Sequence, residues 1–349
     1  MLTKLCIYCI YKYIQYICDA IKHIVYDVSI SAASTLIVNI PNIKTGGFVM
    51  IKVSNVSKEY QAFKLNNINI HLPKGYIMGL VGRNGAGKTT LLRILAGMEK
   101  ADSGSVIING FDITENEENV KKAKDNIGFV FLDNLFIDEV SLIKNGQVYG
   151  KYYTRFNKNI LVKYCEEFDL DMKRKYKKLS RGEKLKFQLA FALAHQPKLL
   201  ILDEPAANFD RAFRKKFIKT LTEFVADGEK SVIIATHLTE DLDRIADYVT
   251  FMDCGKIEMS MDRETLMESF KLISGDTDKC NLISKKLVIY REDGKYGSKL
   301  LIDLRNENIK NYIISSELTV EVPSIEDIMY YMTKGKESKE EKKEDNRYV

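Results

Sequence analysis

Four short apolar runs recur between residues 50 and 262, and segments of helical periodicity separate them. Each run is almost continuously apolar rather than alternating, which is typical of strands that are covered on both faces of a sheet. The pattern therefore predicts a parallel α/β sheet, in which ligands bind beyond the carboxyl ends of the strands. The four predicted strands are Ile77–Val81, Ile127–Phe131, Leu199–Leu202 and Val232–Ala235.

The stretches on either side of this α/β region have a different character. Residues 1–49 are rich in Tyr, Ile and Cys and show no clear period, whereas residues 263–333 form a smaller mixed region. In that second region, Lys286–Tyr290 and Leu300–Leu304 predict a strand pair around the turn-like Glu292-Asp293-Gly294. We therefore expect the α/β region to carry a small C-terminal accessory region.

Charge and cysteine content restrict the possible functions only slightly. The 349 residues include 53 Lys+Arg and 48 Asp+Glu, and a net charge of +5 does not indicate nucleic-acid binding, which usually needs a concentrated basic face. Cys6 and Cys9 form a lone C-x-x-C, so no zinc site is expected, and the cysteine usage fits a reducing cytosol. No apolar run approaches the roughly 20 residues that span a bilayer, so we expect a soluble chain. Residues 334–349 carry mixed charges that cannot bury themselves, and we expect a disordered tail there.

A glycine-rich loop follows the first predicted strand. Its sequence, Gly82-Arg83-Asn84-Gly85-Ala86-Gly87-Lys88-Thr89-Thr90, fits G-x-x-x-x-G-K-[ST] and precedes the apolar helical segment Leu91–Ala96. Such glycines let backbone N–H groups surround phosphate oxygens, and the helix adds its positive N-terminal end. We expect Lys88 to reach the β- and γ-phosphates and the Thr89 hydroxyl to bind Mg²⁺. A glycine-rich turn with a chance lysine is the alternative, which the flanking strand and helix disfavour.

Polar side chains also follow the third and fourth predicted strands. Asp203 is placed to hold Mg²⁺, and Glu204 to accept a proton from an attacking water. His237 ends the fourth run, where it could bond to the γ-phosphate and orient that water. The alternatives are a surface acidic pair and a structural histidine. We assign the structural role to the other histidines, which are His23, His71 and His195.

A predicted helix start lies between the second and third strands. Ser180, with Glu183 three residues later, forms a capping-box pattern in front of the apolar segment Leu185–Ala194. An exposed helix start can also bind a phosphate group. Because this start is far from the first loop within one chain, it would serve the nucleotide of a neighbouring subunit.

Together these motifs resemble the ATP-binding subunits of ABC transporters over about residues 50–258. In that comparison, Gly82–Thr90 corresponds to the Walker A loop, Leu179–Glu183 to the signature, Leu199–Glu204 to the Walker B strand and His237 to the switch histidine. Ala207-Asn208-Phe209-Asp210 falls at the D-loop, and Tyr60 falls where an aromatic ring stacks on adenine.

The resemblance implies a fold, a site and partners. The fold would be an α/β P-loop NTPase core of ABC type over residues 50–262, with a helical insertion at about 134–184, an antiparallel β portion and an accessory region at 263–333. Two subunits, identical or different, would sandwich two ATP molecules, and a polytopic membrane subunit would hold them at the inner face of the cell membrane, with no nucleic acid involved. The implied cofactors are ATP and Mg²⁺. The implied residues are Tyr60, Gly82, Asn84, Gly85, Gly87, Lys88, Thr89, Thr90, Ser180, Gly182 and Asp210 for ATP, Thr89 and Asp203 for Mg²⁺, and Glu204 and His237 for catalysis.

Two positions depart from the family pattern. Arg181 replaces a more usual glycine in the signature, although Ser180 and Gly182 remain. Leu132 stands where the family usually has glutamine, and Leu132 cannot bind Mg²⁺ or hold water. We expect Asp133 to take over part of that role.

A narrower resemblance, to one exporter branch, rests on Tyr149–Arg181, which includes Tyr152–Phe156 and Phe168–Leu170, and on Pro323–Met329. Most of these aromatic residues also fit a helix core. Export of a peptide, drug or other small amphipathic cargo is the reading that this resemblance favours. The alternatives are a soluble ABC protein acting on ribosomes, which usually has two cassettes, a chromosome-maintenance ATPase with long coiled coils, and a non-hydrolysing module. The single Walker A loop disfavours the ribosomal protein, and the absence of heptads disfavours the chromosome-maintenance ATPase. Glu204 and His237 disfavour the non-hydrolysing module.

The first 49 residues are the least regular part of the sequence. Met50–Val56 looks like the natural start of such a subunit, and Gly46-Gly47 can be encoded by a ribosome-binding sequence placed just before Met50. We therefore expect residues 1–49 to be translated leader rather than part of the natural protein. An amphipathic membrane-surface anchor is the alternative.

Overall fold

The computed structural model describes residues 49–237, 239–305 and 318–345, with side chains as far as Glu337. The chain separates into two units, Met1–Thr45 and Gly46–Val349, and the described residues all belong to the second. The leader and anchor hypotheses for residues 1–49 therefore fall, apart from Val49, outside the described residues.

The strands of the described residues are β1 (Val49–Glu59), β2 (Lys64–Pro73), β3 (Ile77–Val81), β4 (Ser103–Ile108), β5 (Phe111–Asp112), β6 (Ile127–Val130), β7 (Leu199–Asp203), β8 (Ser231–Ala235), β9 (Tyr248–Asp253), β10 (Lys256–Asp262), β11 (Phe270–Gly275), β12 (Val288–Gly294), β13 (Gly297–Asp303) and β14 (Thr319–Glu321). The helices are α1 (Lys88–Leu95), α2 (Glu117–Lys124), α3 (Leu142–Tyr149), α4 (Lys158–Glu167), α5 (Arg181–Ala194), α6 (Arg211–Val225), α7 (Thr239–Ile245), α8 (Arg263–Ser269), α9 (Thr277–Cys280) and α10 (Ile325–Asp345), with short 3-10 turns at Gly150–Tyr152 and Tyr176–Lys178.

The central sheet has the order β10-β9-β3-β8-β7-β6. The four predicted strands are its parallel members β3, β6, β7 and β8, and β9 adds a fifth parallel strand beside β3. Successive residues of β7 enter two different cores, because Leu200 and Leu202 pack on one face and Leu199 and Ile201 on the other. Burial on both faces explains why these strands are apolar throughout.

Antiparallel strands make up a second sheet, with the order β2-β1-β4-β5. In β1, Ile51 and Val53 are buried and alternate with Lys52, which is exposed, as expected of a sheet with one face on the core. The antiparallel β portion of the expected fold is thus present, and so is the ABC-type α/β arrangement.

The helical insertion expected at about 134–184 contains α3, α4 and both 3-10 turns. Its centre is the ring of Phe136, which lies 4.8–5.4 Å from the rings of four other aromatic residues, namely Tyr149, Tyr176, Phe187 and Phe191. Tyr153 stacks on His195 at 4.0 Å, and burial lowers the pKa of His195 to about 4. His195 therefore has the structural role that the sequence suggested.

The C-terminal accessory region forms a third sheet, with the order β12-β13-β11-β14. The expected strand pair is present as β12 and β13, but the turn lies two residues later than predicted. Gly294 still pairs with Gly297, so Lys295 and Tyr296 form the connection. Gly297 has a φ of 135° and lies against the carbonyl oxygen of Gly275, which fixes the turn at this position.

The prediction of a disordered tail from residue 334 is wrong for residues 334–345. Helix α10 runs through most of the mixed-charge segment. Lys336 reaches Asp253 at 3.2 Å and Glu258 at 2.6 Å, so the charges of its first part are paired with the core rather than solvated. Residues 346–349 lie outside the described part of the chain.

Candidate functional site

The glycine-rich loop lies at the carboxyl end of β3 and continues directly into α1. Gly87 precedes the helix with a φ of 103°, and a Cβ atom there would lie 2.5 Å from the ring of Phe63. Gly82 has a φ of 157°, and a Cβ atom there would lie 2.1 Å from the carbonyl oxygen of Met252. Both positions therefore require glycine. Between them, the tip of the loop at Asn84 and Gly85 is exposed to solvent.

Lys88 is folded back into this loop. Its side chain is 7% exposed, and its Nζ donates to the carbonyl oxygens of Gly82 at 2.6 Å and Arg83 at 3.1 Å. Burial lowers the pKa of Lys88, while the carboxylates of Glu204 and Asp203 oppose that shift. The ammonium group is thus held against two backbone carbonyl oxygens of the loop.

Thr89 and Asp203 meet across the space between α1 and β7. The Thr89 hydroxyl donates to Oδ2 of Asp203 at 2.7 Å, and Thr90 follows at the same helix start. Oδ1 of Asp203 is buried and has no hydrogen-bond partner among the described residues. Burial raises the pKa of Asp203, and the Thr89 hydrogen bond opposes the rise. A buried carboxylate oxygen without a partner, next to a hydroxyl, fits the oxygen ligands that Mg²⁺ prefers.

Glu204 and His237 are brought together by the ends of two neighbouring strands, β7 and β8. Oε1 of Glu204 lies 2.9 Å from Nδ1 of His237 and 3.1 Å from its backbone N–H, which donates to it. Oε2 accepts from the Thr236 hydroxyl at 3.1 Å. Glu204 has a φ of 46°, in the left-handed region that non-glycine residues rarely adopt, and its N–H donates to Ala235. Strain of this kind is frequent at functional sites, where the surroundings fix the conformation.

The predicted signature and D-loop pack on one another. Ser180 caps α5 as expected: its Oγ accepts from the Glu183 N–H at 3.2 Å, and its own N–H donates to the Glu183 carboxylate at 2.7 Å. Asp210 caps α6 by accepting from the Phe213 N–H. A Cβ atom on Gly182 would lie 2.5 Å from the carbonyl oxygen of Asn208, so glycine is needed where the two loops touch.

Tyr60 lies at the end of the first two strands. Its hydroxyl donates to the Glu99 carboxylate, and its pKa is raised to about 12 by burial and by Glu99. The ring is 38% exposed and tilted against Phe63, which in turn packs on Gly87 of the phosphate loop. An aromatic surface is therefore available beside the loop.

Sequence reasoning missed several residues of this region. Thr236 binds the carboxylate of Glu204, and only its place before His237 hinted at it. After β6, Arg93 of α1 pairs with Asp133 at 2.7 Å, and the buried Gln188 of α5 bonds to the backbone on both sides of Leu132. Nothing in the sequence indicates that these three elements meet.

The sequence comparisons agree with this geometry. A family model described as "ABC transporter" matches residues 65–207, which include the phosphate loop and the Asp203-Glu204 pair. The chain carries an ABC transporter ATP-binding domain. It is thus an ATP-binding subunit of an ABC transporter and an ATPase, as the resemblance implied. Within the described residues, no helix is long and apolar enough to cross a membrane.

Two curated relatives illustrate the range of the family. The chain is similar to the ABC transporter ATP-binding protein YtrB of Bacillus subtilis, with 27% identity over 267 residues that cover 76% of this chain and 90% of YtrB. It is also similar to the sulfate/thiosulfate import ATP-binding protein CysA of Pseudomonas syringae pv. tomato, with 34% identity over 60% of this chain and 66% of CysA. The chain thus spans slightly less than two thirds of CysA. These relatives therefore include an import protein.

Solved structures support the fold alone. The ATP-binding cassette MJ0796, in its post-hydrolysis dimer with ADP and Pi, has a TM-score of 0.57 at 22% identity, and the match covers 61% of this chain and 98% of MJ0796. The CbiO1 protein of Clostridium perfringens has a TM-score of 0.54 at 24% identity, covering 63% of this chain and 91% of CbiO1.

Proposed function

We propose that two ATP-binding subunits of this kind close around two ATP molecules and reopen after hydrolysis, and that a separate polytopic membrane subunit converts this cycle into export. The observation that carries the proposal is the convergence of Lys88, Thr89, Asp203, Glu204 and His237 at the carboxyl ends of three neighbouring strands, β3, β7 and β8.

The phosphates would be bound by the loop that now surrounds the Lys88 ammonium. Backbone N–H groups of residues 82–90 would bind the phosphate oxygens, with Lys88 exchanging its two carbonyl partners for the β- and γ-phosphates. Tyr60 would stack on the adenine. Thr89 and Asp203 would hold Mg²⁺, which neutralises phosphate charge when bound.

In the hydrolysis step, Glu204 would accept a proton from the attacking water. The water oxygen forms a bond to the γ-phosphorus, the bond from that phosphorus to the bridging oxygen breaks, and ADP leaves with the electron pair. His237 would bond to the γ-phosphate and keep the water in line. The two hydrogen bonds that Thr236 and the His237 backbone donate to Glu204 hold the carboxylate in place.

The second half of each site would come from the neighbouring subunit. Ser180 and Gly182 lie at the start of α5, whose N–H groups can bind phosphate oxygens, and Asp210 lies beside them. The packing of Gly182 on Asn208 supports a role for both loops on one surface.

Glu204→Gln tests hydrolysis and the sandwich together. The amide keeps the shape but is not a base, so we expect ATP binding to persist and phosphate release to fall by about 10²- to 10⁴-fold. The variant should then form dimers with ATP and Mg²⁺ in analytical ultracentrifugation but not with ADP. Glu229→Gln, at an exposed carboxylate, is the control. Wild-type phosphate release by Glu204→Gln would disprove the role of this carboxylate, and a monomer at saturating ATP would count against the sandwich.

The direction of transport needs a cellular test. Export is supported by the narrower resemblance at residues 149–181 and 323–329. Cells that lack this subunit should become more sensitive to added amphipathic peptides or drugs, and wild-type protein should restore resistance where Glu204→Gln does not. Unchanged sensitivity together with a new nutrient requirement would indicate import instead.

A further inference from the structure

A buried glutamine of α5, the helix that begins at the predicted signature, forms hydrogen bonds with the loop that follows β6. Gln188 is 2% exposed, its Oε1 accepts from the Phe131 N–H at 2.9 Å, and its Nε2 donates to the Asp133 carbonyl oxygen at 3.1 Å. The two bonds lie on either side of Leu132, where the family usually has its own glutamine. A single side chain thus holds the loop at the position where the usual side chain is missing.

The same loop is also held by the helix that begins at the phosphate loop. Arg93, in the last turn of α1, pairs with the Asp133 carboxylate at 2.7 Å. Asp133 is therefore bound twice: its side chain by α1 and its carbonyl oxygen by α5. Both of these helices begin at a predicted phosphate-binding segment, α1 at Lys88 and α5 just after Ser180.

The two attachments differ in strength. The ion pair is exposed on both sides, with side-chain exposures of 41% and 55%, so it contributes little in water. The bond of Gln188 to Phe131 is buried and the bond to Asp133 is partly buried, so an apolar substitute would leave the buried Phe131 N–H without its partner. Gln188 is therefore the stronger link between the loop and a helix.

We propose that Gln188 is a positioning residue for ATP hydrolysis, which ties the loop at residues 131–133 to α5 so that the Walker A end of α1 and the signature end of α5 move together. This inference rests on the function proposed above. ATP bound at Lys88 acts on α1, which contacts the loop through the buried cluster that Leu92 shares with Phe131 as well as through the exposed Arg93–Asp133 pair. Gln188 then passes the displacement to the helix that carries Ser180. Gln188 is buried with its amide bonded to the backbone of Phe131 and Asp133, so we expect it to act on the rate of hydrolysis rather than on ATP binding.

Gln188→Met tests the proposal, since methionine has similar length and cannot make either bond. We expect kcat for ATP hydrolysis to fall by about fivefold or more, the lower limit of typical coupling, with KM for ATP within about twofold of wild type. Hydrogen exchange should show faster exchange at the Phe131 amide, both with and without ATP.

Asn145→Leu is the matched control. Asn145 is also fully buried, and its amide also makes two backbone bonds, to the N–H and carbonyl oxygen of Ile137 further along the same loop. This bond pair joins the loop only to α3 of the helical insertion, so the control should lose thermal stability but keep kcat per folded molecule.

The proposal is overturned if Gln188→Met keeps the wild-type kcat while the Phe131 amide exchanges faster, or if both variants lose kcat equally. The same holds if Gln188→Met changes KM as much as kcat. Should Gln188→Met not fold, Gln188→Glu keeps the acceptor for Phe131 and loses the donor for Asp133, and the same kcat and KM criteria apply. A failure of the proposed function is distinguishable, because it would appear as wild-type hydrolysis in Glu204→Gln.

Discussion

Replacing Lys88 by methionine separates two effects of this side chain: its contribution to ATP affinity and its effect on the stability of the nucleotide-free protein. The Lys88 ammonium is buried, and burial lowers its pKa, so the charged form is less favourable in the folded chain than in the unfolded one. Methionine fills the same space without a charge. We therefore expect the melting temperature of the nucleotide-free variant to be equal to or above that of wild type.

The effect on the ATP-bound state has the opposite sign. A hydrogen bond to a charged group contributes about 1.5–3 kcal/mol, so losing the contact to the phosphates should raise Kd by about 10- to 100-fold. ATP at about 100 times the wild-type Kd stabilises the wild-type protein by about 2.7 kcal/mol, but a 100-fold weaker variant by only about 0.4 kcal/mol. At about 2–4 °C per kcal/mol, the ATP-induced shift falls from about 5–10 °C to about 1 °C.

Differential scanning calorimetry with and without ATP and Mg²⁺ measures both quantities. Lys100→Met is the control, because Lys100 is 86% exposed and pairs with the exposed Glu117. It should retain the wild-type shift. A Lys88→Met variant with an unchanged ATP shift would refute the assignment of the phosphate loop, and one that melts well below wild type without ATP would refute the argument from burial.

Three further outcomes follow from single contacts. Leu132→Gln should leave ATP turnover intact or raise it, whereas Asp133→Ala should lower the turnover measured with the membrane partner present; wild-type behaviour of the alanine variant there would rule out the substitute role. Gly182→Ala places a Cβ atom 2.5 Å from a backbone oxygen, and it should cost about 1–3 kcal/mol in urea unfolding and weaken ATP-driven dimerisation. Lys336→Met leaves two carboxylates without their shared partner, and it should lower the melting temperature by about 2–4 °C at low salt and by less at 1 M salt. A shift independent of salt would show that packing, not charge, is lost.

The parallel strands could be predicted because burial on both faces requires continuous apolar runs, which are visible in the sequence. Each of β3, β7 and β8 is buried throughout, so polar residues first appear where the strand ends. Glu204 and His237 follow directly, which is why their meeting at 2.9 Å could be anticipated from two separate runs. The carboxyl ends of neighbouring parallel strands must lie at the same edge of the sheet.

The contacts of the loop after β6 could not be predicted in this way. Gln188 lies 57 positions from Phe131, on a helix whose other inward residues are apolar, and a lone polar residue in such a pattern does not reveal its partner. The turn between β12 and β13 was misplaced for a related reason. Glycine and aspartate at residues 293–294 are typical of turns, but the pairing of Gly294 with Gly297 decided where the chain reverses.

The charged segment at the end of the chain shows most clearly how composition can mislead. Its lysines and glutamates have no apolar face to bury, yet Glu337 accepts a hydrogen bond from Arg83 of the phosphate loop at 2.7 Å, across 254 positions of sequence. Lys336 binds Asp253, at the end of β9, and the turn after β9 donates from the Gly255 N–H to the Ala86 carbonyl oxygen of the same loop. Helix α10 therefore supports the phosphate loop twice, once directly and once through this turn. A mixed-charge segment indicates a solvated tail when only its composition is considered. In the folded chain, residues of opposite charge that are distant in sequence lie beside it and form specific contacts, and the local sequence does not reveal them.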